Sequence, residues 1–295
     1  MNDYILSCES TTDLSIEEFK EMDVSFISYH YTIGGKEYID DFGQTLPLEE
    51  FYKKMAAGEM THTSQISLGE YLPYFENFLK QGKDILHLTL SSGLSSTYNS
   101  ACTAASMLLE KYPDRKITII DSLCASSGFG LLVYRLSNLK KQGLDLDTLA
   151  LYAQDHKLNV QHWFFSTDLT YYVRGGRVSR TAGFFGNMFH ICPLLNVDYQ
   201  GHLIPREKVR TVRKVEDVQL DKMIQNCDDG VAYDQECFIS HSGCPEYGKQ
   251  VLEKVEATFP NLKGKVKLFP IGSIVGCHAG PGTVALFFFG KTRID

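Results

Sequence analysis

Two segments of this chain are crowded with hydroxyls: Thr61-His-Thr-Ser-Gln-Ile-Ser67 and Ser91-Ser-Gly-Leu-Ser-Ser-Thr97. The second follows an apolar run, Ile85-Leu-His-Leu-Thr-Leu90, and precedes a segment with helical spacing. Backbone N–H groups at a helix start are unpaired and carry the positive end of the helix dipole, so such a loop seats an anion. Lysine is absent from it, and so is a Gly-Lys-Ser/Thr signature, which argues against a nucleoside triphosphate. A small anion held by hydroxyls, such as a carboxylate, fits better. The same hydroxyls also serve as ordinary caps, and one of Ser91, Ser92, Ser95 and Ser96 has to cap the following helix.

Other residues with chemistry are more scattered. Arg174-Gly-Gly-Arg-Val-Ser-Arg180 sets forked cations around two glycines, a pattern suited to carboxylate or phosphate and equally to a helix C-terminus. Arg206, Lys208, Arg210, Arg213 and Lys214 add a basic cluster, read either as a docking face for an acidic partner or as a solvated surface. Gly276-Cys-His-Ala-Gly-Pro-Gly282 reads as a tight glycine loop that leaves His278 little room to pack away. Cys237, His241 and Cys244 lack a fourth zinc ligand, so no metal is expected. Gly93-Leu-Ser-Ser-Thr97 misses the last glycine of a nucleophile elbow, so a serine hydrolase triad is not supported.

The elements that must position these residues alternate in the first half. Strands are expected at Tyr4 to Cys8, Ile85 to Leu90 and Ile117 to Asp121, and Val24 to Asp40 reads as extended, turning at Gly34-Gly35. Helices are expected over 48–57, from Ser67 (a capping box with Glu70) to Leu79, over 95–111, up to Lys141 and over 146–156. Strands feeding helices through short polar loops imply a parallel sheet, with ligands outside the C-terminal ends of its strands. Beyond residue 160 the pattern changes. Strands at 160–167, 237–240 and 266–269, a basic extended stretch at 202–210 and amphipathic helices at 212–227 and 246–259 suggest an α+β domain.

At 295 residues the chain is long enough for two domains, here 1–159 and 160–295. A net charge of −7 argues against a duplex nucleic-acid binder. The eight cysteines include no Cys-x-x-Cys pair and read as buried free thiols. Met1-Asn-Asp-Tyr-Ile lacks a basic and apolar leader, and the run Val284-Ala-Leu-Phe-Phe-Phe289 is too short to span a bilayer, so a cytoplasmic protein without an integral membrane segment is expected.

Taken in order, several blocks resemble the DegV family of bacterial fatty-acid-binding proteins. They are Glu9-Ser-Thr-Thr-Asp-Leu14, Thr63-Ser-Gln65, Leu90-Ser-Ser-Gly-Leu-Ser-Ser-Thr-Tyr98, Asp121-Ser122, Gly175-Gly-Arg177, Gly186-Asn187, Lys208-Val-Arg210 and His278-Ala-Gly280. The chain departs from the family pattern at Ser7-Cys8-Glu9-Ser10, at Ile66 and at Ala279. The resemblance implies an N-terminal parallel-sheet α/β domain and a C-terminal α+β domain with one acyl chain between them. It implies Thr63 and Ser95 as carboxylate ligands, His278 in the head-group network, and Arg177 and Arg210 toward a phosphoryl-transfer partner. Phe184, Phe185, Met188, Phe189 and Ile191 are the expected acyl-tunnel lining, although ordinary core explains that stretch as well. Burying about fourteen methylenes contributes on the order of 10 kcal/mol before ordering costs, so the hydroxyls need only orient the head group.

The expectation is therefore a lipid-binding carrier with no catalytic residue, metal or cofactor of its own. It would hold a long-chain acid such as palmitate, stearate or oleate, as the subunit of a fatty acid kinase that presents the carboxylate for acyl-phosphate formation, a role in phospholipid metabolism. The alternative is a stand-alone acyl or phosphoryl transferase using Ser95 and His278, for which no third activating group is evident.

Overall fold

The structure, a computed structural model, describes residues 3–179 and 191–294. The first half contains β1 (Tyr4–Glu9), α1 (Ile16–Met22), β2 (Ser25–Ile27), β3 (His30–Ile33), β4 (Lys36–Ile39), α2 (Leu48–Ala56), β5 (Thr61–Ser64), α3 (Leu68–Leu79), β6 (Asp84–Thr89), α4 (Thr97–Lys111), β7 (Ile117–Asp121), α5 (Ser126–Lys141) and α6 (Leu146–His156). The second half contains β8 (Val160–Ser166), α7 (Thr170–Arg174), β9 (Cys192–Val197), β10 (Leu203–Val209), α8 (Val212–Asn226), β11 (Cys237–His241), α9 (Pro245–Thr258), β12 (Lys267–Pro270), α10 (Ser273–Ala279) and β13 (Thr283–Phe289).

Strands β2, β1, β6 and β7 form a parallel sheet in that order. Every residue of β6 is buried, as expected of a parallel strand covered on both faces. The chain leaves β1 toward β2 and later returns on the other side as β6. That reversal opens a crevice at the C-terminal ends of β1 and β6, the place where such sheets take ligands. The second sheet is mixed, in the order β10-β9-β8-β13-β11-β12, with only β11 and β12 parallel. Its central strands β8 and β13 are buried along their whole length.

Helix α5 joins the two sheets. Ser127 Oγ lies 2.5 Å from Ser240 Oγ on β11, and Ser126 donates to Asp13 Oδ2 across 2.5 Å. Gly128 permits this closeness, since a Cβ there would stand 2.3 Å from His162 Nε2 on β8.

Two local expectations are corrected. The segment around Thr63 is a strand as well as a cap loop: β5 pairs antiparallel with β3, Thr63 opposite Tyr31, making a three-stranded sheet with β4. β-Branched Thr61 and Thr63 suit a strand, and the polar alternation hid the pairing. The stretch around His278 is a helix and its cap, not a loop. Helix α10 runs to Ala279, and Gly280 ends it at φ 67°, a conformation that an L side chain resists. His278 therefore sits in a last helical turn. Ser67 and Glu70 form the capping box expected at the start of α3.

Candidate functional site

The two hydroxyl segments end beside each other because the fold brings them there. Thr63 leaves β5, an edge strand held by the β3–β4 hairpin, while Ser95 follows β6 in the loop that enters α4. Both side chains are half-buried and face one cavity of about 360 Å³. Thr63, Ser95, Gln65, Leu90 and Ser126 come to it from the first half, and His278, Arg177, Phe164, Ala285 and Phe287 from the second. Tyr29, Ser96, His162, Tyr172 and Thr283 add further polar groups to the wall, and Phe164, Ala285 and Phe287 of β8 and β13 supply part of its apolar surface.

His278 Nε2 lies 2.9 Å from Thr63 Oγ1. Its Nδ1 is buried without a partner and rests against Gly175, where a Cβ would approach to 2.3 Å. Burial, with a smaller repulsion from Arg177, pushes the imidazole down to about 4, so it is neutral near pH 7. The tautomer with its proton on Nε2 leaves no buried N–H unpaired. In that tautomer His278 donates to Thr63, and the Thr63 proton is free for a ligand oxygen.

Arg177 lines the same cavity. Its Nε and Nη2 donate to the Leu94 carbonyl at 3.2 and 3.0 Å, and Nη1 donates to the Gly175 carbonyl at 2.6 Å. It thereby ties the loop before Ser95 to the end of α7. Ser95 Oγ accepts from the Thr97 N–H at 3.4 Å and lies 3.3 Å from the Tyr29 hydroxyl.

The structure thus brings Thr63, Ser95, His278 and Arg177 together. Arg210 does not line the cavity and lies exposed after the edge strand β10, with Arg213 and Lys214 also exposed beyond it. Phe184, Phe185, Met188 and Phe189 lie outside the described residues. Ile191 is half-buried before β9 and is not among the residues lining the cavity. Sequence reasoning missed Tyr29, a buried tyrosine in an extended stretch without a motif to mark it. It also gave no role to Glu9, although an acid at the C-terminal end of the first parallel strand stands where such sheets bind ligands.

A family model described as "uncharacterised protein, DegV family" matches residues 6–291. A DegV domain-containing protein of Clostridium perfringens is 35% identical over 99% of both chains. A solved DegV family protein of Thermus thermophilus, described as binding fatty acid, shares the fold at TM-score 0.86 with 22% identity, over 99% of this chain and 100% of its own. A solved protein of Eubacterium ventriosum, described as binding stearic acid, does so at TM-score 0.84 with 24% identity, over 98% of both chains.

Proposed function

The chain belongs to the DegV family, and we propose that it holds a long-chain fatty acid in the cavity between its two halves, carboxylate toward Thr63 and Ser95. The observation that carries this reading is the composition of the wall. Neutral hydroxyl and imidazole donors share one cavity with apolar side chains such as Leu90, Phe164, Val197 and Phe287, which suits a molecule with one anionic tip and a long hydrocarbon. Two related structures described as fatty-acid binders support it.

Thr63 and Ser95 are the carboxylate ligands in this account, and His278 positions the Thr63 hydroxyl. Arg177 holds the Ser95 loop and places a positive charge near the anion. Residues 1–159 and 160–295 act as the two lobes that enclose the chain. Thr63 and Ser95 are neutral donors and the Arg177 guanidinium is committed to the Leu94 and Gly175 carbonyls, so the carboxylate is held without a direct ion pair and its oxygens stay reactive toward a phosphoryl donor. We place presentation of that carboxylate to a separate kinase as the further step, with the exposed basic stretch at Arg210 as the contact for it. Among the described residues no helix is long and apolar enough to cross a membrane.

Mass spectrometry of the denatured purified protein tests the binding claim. One fatty acid per chain is expected, and reloading with oleate after delipidation. No acyl chain and no uptake would overturn it. For the kinase step, Arg210→Ala is expected to keep the bound acid and to slow phosphorylation by a partner kinase about tenfold or more. Equal rates for the variant and the parent would remove the docking role.

A further inference from the structure

Ser95 has its own chain of groups behind it. Glu9, the last residue of β1, has no exposed surface. Its Oε1 accepts from the Tyr71 hydroxyl at 2.5 Å, and its Oε2 accepts from the Leu90 N–H at 2.8 Å and from the Tyr29 hydroxyl at 3.1 Å. The Tyr29 hydroxyl also lies 3.1 Å from Thr97 Oγ1 and 3.3 Å from Ser95 Oγ. A buried carboxyl is thus one hydroxyl away from a proposed ligand of the fatty-acid head group.

A tyrosine hydroxyl has a single proton to give. With Glu9 ionised, that proton is committed to the carboxylate. The Tyr29 oxygen then only accepts, and it draws the hydroxyl proton of Ser95 away from the cavity, while the Thr97 hydroxyl also bonds to Glu9. With Glu9 protonated the chain runs the other way. Glu9 donates to Tyr29, Tyr29 donates to Ser95, and the Ser95 proton is left for whatever occupies the cavity.

We propose that Glu9 is a positioning residue of the head-group site, which sets through Tyr29 the direction in which Ser95 donates and so couples capture of a carboxylate anion to uptake of a proton by Glu9. This rests on the cavity being a fatty-acid site. Two effects act in the same sense: the hydrogen-bond chain favours the anion when Glu9 is neutral, and an ionised Glu9 repels the incoming charge. Affinity for the anion therefore falls as pH rises through the titration of Glu9, and the bound anion holds the proton on Glu9 to higher pH.

The surroundings leave the carboxyl free to change state near neutrality. Burial pushes it up to about 7, against the pull of its hydrogen-bond donors. The groups facing it are Tyr29 from the segment after β2, Tyr71 from α3 and the adjacent Cys8 of β1, and burial holds all three neutral. Arg177 is the positive charge acting on Tyr29 from beyond. A second buried carboxyl, Asp13, accepts from Ser126, which lines the cavity, and burial pushes it up to about 7 as well.

Calorimetric titration of the delipidated full chain with oleate, at pH 7.5 in buffers of different ionisation enthalpy, counts the protons. The parent is expected to take up about half to one proton per oleate, with affinity falling severalfold between pH 7 and pH 8. Glu9→Gln is expected to bind oleate with that uptake gone, and Asp13→Asn to keep it. Tyr29→Phe, which cuts the link and leaves Glu9 with Tyr71, Leu90 and Thr97, is expected to lower the uptake, and it carries the test should Glu9→Gln not fold. Oleate binding by the parent without proton uptake, or full uptake in Glu9→Gln or Tyr29→Phe, overturns the proposal alone. No oleate binding by the parent at any pH overturns the fatty-acid reading, and this inference with it.

Discussion

Thr63 is a hydroxyl with two faces. One accepts from His278 at 2.9 Å and the other is left for the cavity. A hydrogen bond to a charged group contributes about 1.5–3 kcal/mol. Thr63→Val keeps the branched shape and removes the donor, so its dissociation constant for oleate is expected to rise about ten- to hundredfold. Equilibrium binding to the delipidated variant measures it, and an unchanged constant would mean that the carboxylate lies elsewhere. The serine and threonine blocks were legible in the sequence because they were dense and lay next to helix starts. What the sequence left open was which hydroxyl does what. Ser91 looks like Ser95, yet it is buried and donates to the Gly201 carbonyl at 2.9 Å. Tyr29 carried no motif and Glu9 lay in a block that departs from the family pattern, and their part depends on strands that meet only in three dimensions.

Elements decide how much acyl chain fits. Strands β8 and β13 run antiparallel through the middle of the mixed sheet, with Ala285 opposite Phe164, and both residues line the cavity. Ala285→Leu fills space that two or three methylenes would take, at about 0.8 kcal/mol each. Affinity for an eighteen-carbon acid is expected to fall about ten- to fiftyfold, while a shorter chain is spared. A competition series of saturated acids reads this directly, and an unshifted length preference would place the tail away from β13. The parallel sheet was legible because buried strands alternated with helices at plain spacing. The short sheet of β3, β4 and β5 was only half legible, since the hairpin turns at glycines but β5 is polar and joins from a distance. Helix α10 was hidden because its glycines and its histidine imitate a loop. The expected tunnel stretch at 184–189 lies outside the described residues, and the apolar wall the structure does show comes from strands whose sequences read as ordinary core.

At the scale of the whole molecule, the buried carboxyls among the described residues include Glu9, Asp13 and Asp40. Burial pushes Glu9 and Asp13 up to about 7 and Asp40 up to about 6, in each case more than their hydrogen bonds pull them down. An unfolded chain releases those protons near pH 4. Between about pH 4 and pH 7 these three sites bind more protons in the folded state and on their own make stability fall as pH rises, while His87, His162 and His278, pushed down by burial, act in the opposite sense because the unfolded chain protonates them. Asp13→Asn removes one of the falling contributions, so the melting temperature of the delipidated variant relative to the parent is expected to be a few degrees more favourable at pH 8 than at pH 5.5. A difference between variant and parent that is the same at both pH values would contradict the assignment. The fold class was legible from the order of strands and helices and from the blocks shared with the DegV family. The proton balance was not, because it depends on how deeply the acids are buried.

The most direct test of the account follows the carboxyl carbon itself. Oleate labelled with carbon-13 at the carboxyl, titrated into delipidated protein and observed by NMR, is expected to give one saturable resonance at one acid per chain, shifted from that of free oleate. In the Thr63→Ala, Ser95→Ala double variant that resonance is expected to return toward the free position or to vanish with binding. A resonance identical in the parent and the double variant, or no saturable resonance in the parent, would contradict the claim that these two hydroxyls hold the anionic tip of a long hydrocarbon.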